Sequence, residues 1–151
     1  MPKKRIPKAK RKNPIKGKST NDEVKMLVCN SQNLSDDFLV SFKYLDRNQG
    51  ESLEEWESEG ILARAMDTLR NYCSGALKSQ MDGKKFTIYG NFPPTEKTDY
   101  EHPKHVPPDA EWGRIHVNGK QILAGYVNRN VFNVVFLDKD HKFYKSEKKH
   151  T

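Results

Sequence analysis

The chain has 151 residues, of which 34% are apolar and 31% charged, and a formal net charge of +7. That length suits a single domain with one core, and no run approaches the ~20 apolar residues of a membrane span. Cys29 and Cys73 form no spaced framework and the N-terminus has no apolar signal region, so a reducing, cytoplasmic setting without membrane partners is expected.

The charge is unevenly placed. Residues 1–18 carry nine Lys/Arg and no acid, residues 19–111 carry ten bases against seventeen acids, and residues 112–151 carry eight against three. Basicity therefore sits at the two ends, and such a polar field orients a polyanion toward one face. Residues 1–22 combine basic runs with Pro2, Pro7 and Pro14, which oppose helix, so a disordered basic arm is expected ahead of one domain over 23–151. The arm reads three ways: a solubilising tail, a phosphate-binding segment for RNA or ribosome, or a nuclear address. Lys3, Lys4, Arg5, Lys10, Arg11 and Lys12 carry the last two readings.

Phe38 to Leu45 alternates with Phe38, Val40, Phe42 and Tyr44 on one side, which predicts a strand, although Phe38, Leu39, Phe42 and Leu45 also fit a short helix. A turn at 46–50 precedes Ser52, which with Glu55 forms a capping-box pattern opening a short helix. After Gly60, Ile61, Leu62, Ala65, Leu69, Tyr72, Cys73 and Ala76 recur at helical spacing and predict a second helix ending near Gly75. Lys84–Tyr89 reads as a strand with Phe86 and Ile88 inward. Residues 91–110 contain five prolines and form a long loop, expected to be either functional or mobile. Strands are then predicted over 112–118 and 121–127, joined at Asn118-Gly119, and over 131–137. This order predicts an α+β domain, with two helices from its N-terminal half against one face of an antiparallel sheet.

The terminal strands hold the chemistry. In the first, Trp112, Arg114 and His116 share one face while Ile115 and Val117 take the other. Arg114 can fork onto two phosphate oxygens, and His116 titrates near neutrality and can serve as a base. Glu111 is the alternative base. His141 and Tyr144 can act as acid or stack on a nucleobase, with Lys120, Lys142 and Lys145 steering phosphates and Trp112 offering a stacking surface. No cofactor and no metal centre is expected. Pro103 breaks helical spacing in His102-Pro-Lys-His105, Asp138-Lys-Asp140 has no further carboxylate at a recognisable spacing, and the glycines form no phosphate loop.

The run from Trp112-Gly-Arg-Ile-His-Val through the glycine turn to Asp138-Lys-Asp-His-Lys-Phe-Tyr144 resembles the RelE/YoeB-like family of bacterial mRNA interferase toxins. The likeness covers about 35 residues, Trp112 to Lys145. This chain differs in its basic arm, its proline-rich loop, and the two acids of the terminal run. The resemblance implies a RelE-like fold, metal-independent cleavage of mRNA by its own 2′-OH, action at the ribosome, and a protein antitoxin covering the basic face. It carries catalytic roles onto Arg114, His141 and Tyr144, and matches Glu111 to a family carboxylate position. Two other functions stay open: a non-catalytic nucleic-acid-binding protein using the arm and the terminal sheet, and an interaction protein whose acidic helical face binds a basic partner.

Overall fold

In the computed structural model, residues 36–146 are described; the basic segment at 1–22 lies outside them. Helix α1 (Leu53–Ser58) starts on the expected capping box. The Ser52 hydroxyl accepts the Glu55 amide at 3.1 Å, and the Glu55 carboxylate accepts the Ser52 amide at 2.6 Å. These bonds hold the Glu55 carboxyl below its ordinary value, and they satisfy amides a helix start leaves unpaired. The helix ends at Gly60, with φ +72°. There the Gly60 amide donates to Glu57 O at 3.0 Å and the Ile61 amide to Trp56 O at 2.8 Å. This left-handed reversal packs Ile61 onto Trp56, and a Cβ at position 60 would strain it.

Helix α2 (Leu62–Tyr72) follows at once, and a short α3 (Leu77–Gln80) closes the helical half. Ile61, Ala65 and Leu69 are buried along the expected stripe, whereas Cys73 is exposed. The strands are β1 (Leu39–Ser41), β2 (Phe86–Gly90), β3 (Glu111–Asn118), β4 (Gln121–Asn128) and β5 (Val131–Asp138), in sheet order β1-β5-β4-β3-β2.

The sheet is mixed. The pairs among β2 to β5 are antiparallel, but β1 runs parallel to β5, with Leu39 opposite Val131. The expected fully antiparallel sheet is thereby corrected: the helical crossover returns the chain to the opposite edge, so β1 is not joined to its neighbour by a hairpin. The first strand is also shorter than its alternation predicts. It stops at Ser41, leaving Phe42 exposed and sending Tyr44 to the other face of the sheet, against Tyr126.

Both faces of the sheet are covered. On one face, Trp56 and Leu69 of the helices pack with Phe38, Phe86, Ile115, Leu123 and Phe132. Against the opposite face pack Tyr100, Val106, Trp112, Tyr126, Phe136 and Phe143. Burial on two sides explains why β4 and β5 are largely apolar rather than alternating, with Asn133 a buried polar exception in β5. A bulge between Ala124 and Gly125 leaves Val135 unpaired, so Val135 and Phe136 both join the second cluster. Gly125 permits it: a Cβ there would lie 2.0 Å from Asn133 O.

The proline-rich loop forms the second cover. Phe92, Tyr100, Val106 and Ala110 pack into it. Polar ties hold it: Gln49 exchanges two hydrogen bonds with the Glu101 backbone at 2.7 and 3.0 Å, and the His105 ring donates to Tyr44 O at 2.9 Å. A long loop is stable here because its apolar side chains replace a missing helical layer. Among the described residues, no helix is long and apolar enough to cross a membrane.

Candidate functional site

Strand β3 alternates as its sequence predicts. Ile115 and Val117 face the helices, while Trp112 joins the loop-side cluster and Arg114 and His116 follow it on that face. The register sets Thr87 opposite Arg114 and Ile115 opposite Phe86. Tyr89, two residues beyond Thr87, therefore shares the face of Arg114.

The segment after β5 crosses this face as a strap. Asp138, fully buried at the strand's end, accepts the amides of Phe143 at 2.7 Å and Asp140 at 3.3 Å, and the Tyr100 hydroxyl bonds to the same carboxylate. Lys139 N donates to Glu51 at 2.9 Å, and its ammonium pairs with Glu59 at 2.7 Å. His141 then takes a left-handed φ of 59°, which reverses the chain over the sheet. Phe143 plugs between Phe92, Trp112 and Phe136, and Tyr144 stacks on Tyr89 with ring centres 4.1 Å apart. The end of the strap pairs with the loop through Asp99 N to Lys142 O (3.1 Å), Lys145 N to Lys97 O (2.7 Å) and an ion pair of Lys145 with Asp99.

This path brings His141 beside His116, with ring centres 5.3 Å apart and planes inclined by 39°. Both side chains are half-buried. Desolvation, then the positive charges of Arg114 and of His141 when protonated, hold the His116 imidazole below its ordinary value; a bond to the Gly119 backbone opposes them. His116 is therefore neutral near pH 7. His141 Nδ1 is buried with no hydrogen-bond partner among the described residues.

Arg114 is oriented rather than free. Its Nε donates to the Tyr89 hydroxyl, its Nη1 donates to Lys84 O at 3.0 Å, and its guanidinium carbon lies 5.8 Å from the Tyr89 ring centre. Two of five donors are used, so the remaining fork stays open to an anion. Burial raises the Tyr89 phenol above its ordinary value, so it remains protonated at neutral pH.

The other expected residues separate from this group. Glu111 is exposed at the far end of β3. It stands five residues from His116, roughly 17 Å along a strand, and its side chain takes the opposite face. It does not share a site with the imidazoles, because odd and even positions of one strand diverge. Trp112 has no exposed surface. Returning its ring to water would forfeit about 5 kcal/mol of burial, against about 1–3 kcal/mol gained by stacking one base, so it serves the core. Lys120 is exposed in the β3–β4 turn, Lys142 is exposed 4.0 Å from Asp140, and Lys145 is paired with Asp99. Lys3, Lys4, Arg5, Lys10, Arg11 and Lys12 lie outside the described residues.

His102 and His105 diverge to separate partners. The first donates to Pro103 O at 3.0 Å within the Phe92–Trp112 cluster, and the second donates to Tyr44 O. Among the described residues, no group of three or more His, Cys, Asp or Glu is arranged to hold a metal ion.

Tyr89 and Lys84 were missed by sequence reasoning. A signal existed for the tyrosine: with Phe86 and Ile88 inward, Tyr89 must take the outer face. Lys84 enters through its backbone carbonyl, which no side-chain pattern reports.

Comparison of the chain with protein-family models, curated proteins and solved structures finds no match.

Proposed function

We propose that this chain is a metal-independent endoribonuclease, in which His116 and His141 exchange protons with RNA and Arg114 neutralises the scissile phosphate. The observation that carries the reading is the 5.3 Å approach of the two imidazoles, delivered from β3 and from the strap onto the face that holds a preoriented guanidinium.

The chemistry needs three functions. Neutral His116 accepts the proton of a 2′-OH as its oxygen attacks the adjacent phosphorus. Charge on the non-bridging oxygens grows, and the free donors of Arg114 meet it in a partly desolvated setting. His141, as imidazolium, gives its proton to the departing 5′-oxygen. The P–O5′ bond breaks as the P–O2′ bond forms, leaving a 2′,3′-cyclic phosphate and a 5′-hydroxyl. Tyr144 acts through Tyr89: its stack keeps in place the hydroxyl that orients Arg114. Action on mRNA at the ribosome and a neutralising protein partner rest on the sequence resemblance alone.

The test is incubation of purified protein with RNA in EDTA, with and without ribosomes, beside His116→Ala and His141→Ala. Each variant should lose on the order of 10²–10⁴-fold in rate, and products should end in cyclic phosphate. Cleavage that requires a divalent ion, or that survives in both variants, refutes the proposal. Binding without cleavage would instead favour a non-catalytic nucleic-acid-binding protein.

A further inference from the structure

His116 of β3 and His141 of the strap bring their imidazoles together on one face of the sheet, with ring centres 5.3 Å apart. We infer that the pair also binds a borderline-soft divalent cation, Zn²⁺, and that the bound ion shuts off proton exchange. The inhibition rests on the ribonuclease reading above; the binding does not.

The spacing suits a shared ion. A Zn–N bond is about 2.0–2.1 Å, so two imidazoles on one tetrahedral ion have ring centres roughly 5–5.5 Å apart. The observed 5.3 Å falls inside that range, and the rings need neither separate nor close to share an ion. Both are half-buried, so the pair keeps contact with solvent.

The ring nitrogens are also available. His116 bonds through one nitrogen to the Gly119 backbone. A bond of that kind fixes the tautomer of metal-bound histidines and leaves the other nitrogen with a lone pair. The His141 side chain makes no hydrogen bond among the described residues, and its Nδ1 is buried without a partner. Each residue is held from outside the pair. The His116 amide donates to Lys85 O at 2.8 Å, and the Asp138 carboxylate fixes the amides on either side of His141. Ligands set in place beforehand lose little freedom when an ion arrives.

The donor set defines the ion and its effect. Neutral imidazoles suit Zn²⁺, whereas Mg²⁺ and Ca²⁺ call for oxygen ligands that the pair lacks. Among the described residues no third His, Cys, Asp or Glu completes a centre, and the positive charge of Arg114, which bears on His116, opposes a second cation. Such a site holds its ion reversibly rather than as a fixed part of the fold. As the ion binds, the His141 proton leaves to solvent. The ion then occupies the lone pair with which His116 would take the 2′-OH proton, and cleavage stops.

The test uses the untagged full chain at pH 7, stripped with EDTA and dialysed. Zinc chloride is titrated while the histidine ring signals are followed by NMR, a readout that needs neither activity nor a variant. Calorimetry compares wild type with His116→Ala and His141→Ala, with His105→Ala as the control and thermal melts on each. RNA cleavage is measured with zinc chloride, with magnesium chloride, and after EDTA is added to the zinc-treated chain.

Zinc should move the His116 and His141 signals at the same concentration, and magnesium should leave both in place. Each of the two variants should lose the ion that His105→Ala retains. Saturating zinc should slow cleavage about 100-fold or more, and EDTA should restore it. Zinc that moves only one of the two rings, or binding that survives in both variants, overturns the site. Cleavage indifferent to saturating zinc overturns the inhibition and leaves the ribonuclease standing. Zinc held by both rings in a chain that cuts nothing in any buffer ends the ribonuclease and keeps the metal site.

Discussion

The Asp138 carboxylate accepts the Phe143 amide at 2.7 Å, and this bond closes the turn that carries His141 across the sheet. Asp138 is fully buried, and its acceptor oxygens serve two amides and the Tyr100 hydroxyl. Asp138→Ala strands all three donors and should cost about 3 kcal/mol or more. Asp138→Asn keeps the shape and should cost less. Urea unfolding of both variants checks this; a loss below about 1 kcal/mol for the alanine would contradict it.

The lowered His116 value makes stability depend on pH. The unfolded imidazole protonates near pH 6.5, while the folded one, facing Arg114 and His141, resists protonation. Between those two values the unfolded chain binds more protons, so stability should fall as pH drops from about 6.5 and level off below the folded value. His116→Gln should flatten this part of the melting-temperature profile between pH 7 and pH 5. An unchanged profile would assign the acid sensitivity to other groups.

Gly125 sits where β4 meets the bulge of β5, and Asn133 O stands 2.0 Å from where a Cβ would be. The obstacle is backbone on a central strand, which cannot step aside. Gly125→Ala should lower stability by about 3 kcal/mol or more, seen as reduced soluble yield and a lower melting temperature. A variant melting within a few degrees of wild type would show that the sheet relaxes.

Tyr89→Phe removes the acceptor for Arg114 Nε while keeping the stack on Tyr144. It should cost about 1 kcal/mol of stability and reduce RNA cleavage several-fold through misorientation of the guanidinium. Arg114→Lys should reduce cleavage further, because an ammonium has no planar fork. Equal activity in all three proteins would remove Arg114 from the site.

Much of the frame was legible along the chain. The Ser52–Glu55 capping box, the Ile61–Leu69 stripe and the Asn118-Gly119 turn depend on contacts within a few residues, so residue type and spacing report them directly. The same holds for the face shared by Trp112, Arg114 and His116, since strand alternation is a local geometric fact. The loop at 91–110 was not legible: its prolines announce irregular backbone, but Tyr100 and Val106 become core only because the sheet's second face lacks helices.

What the sequence determined by itself is therefore the kind and order of the main elements and the alternation of faces along β3. Only the tertiary structure decided that β1 pairs parallel with β5, that Trp112 is sealed beneath the loop, and that His141 meets His116. Those outcomes turn on pairings between distant segments, on the extra residue at the β5 bulge, and on the reversal at Asp138. Each of these shifts side chains across the sheet without leaving a periodic mark in the chain.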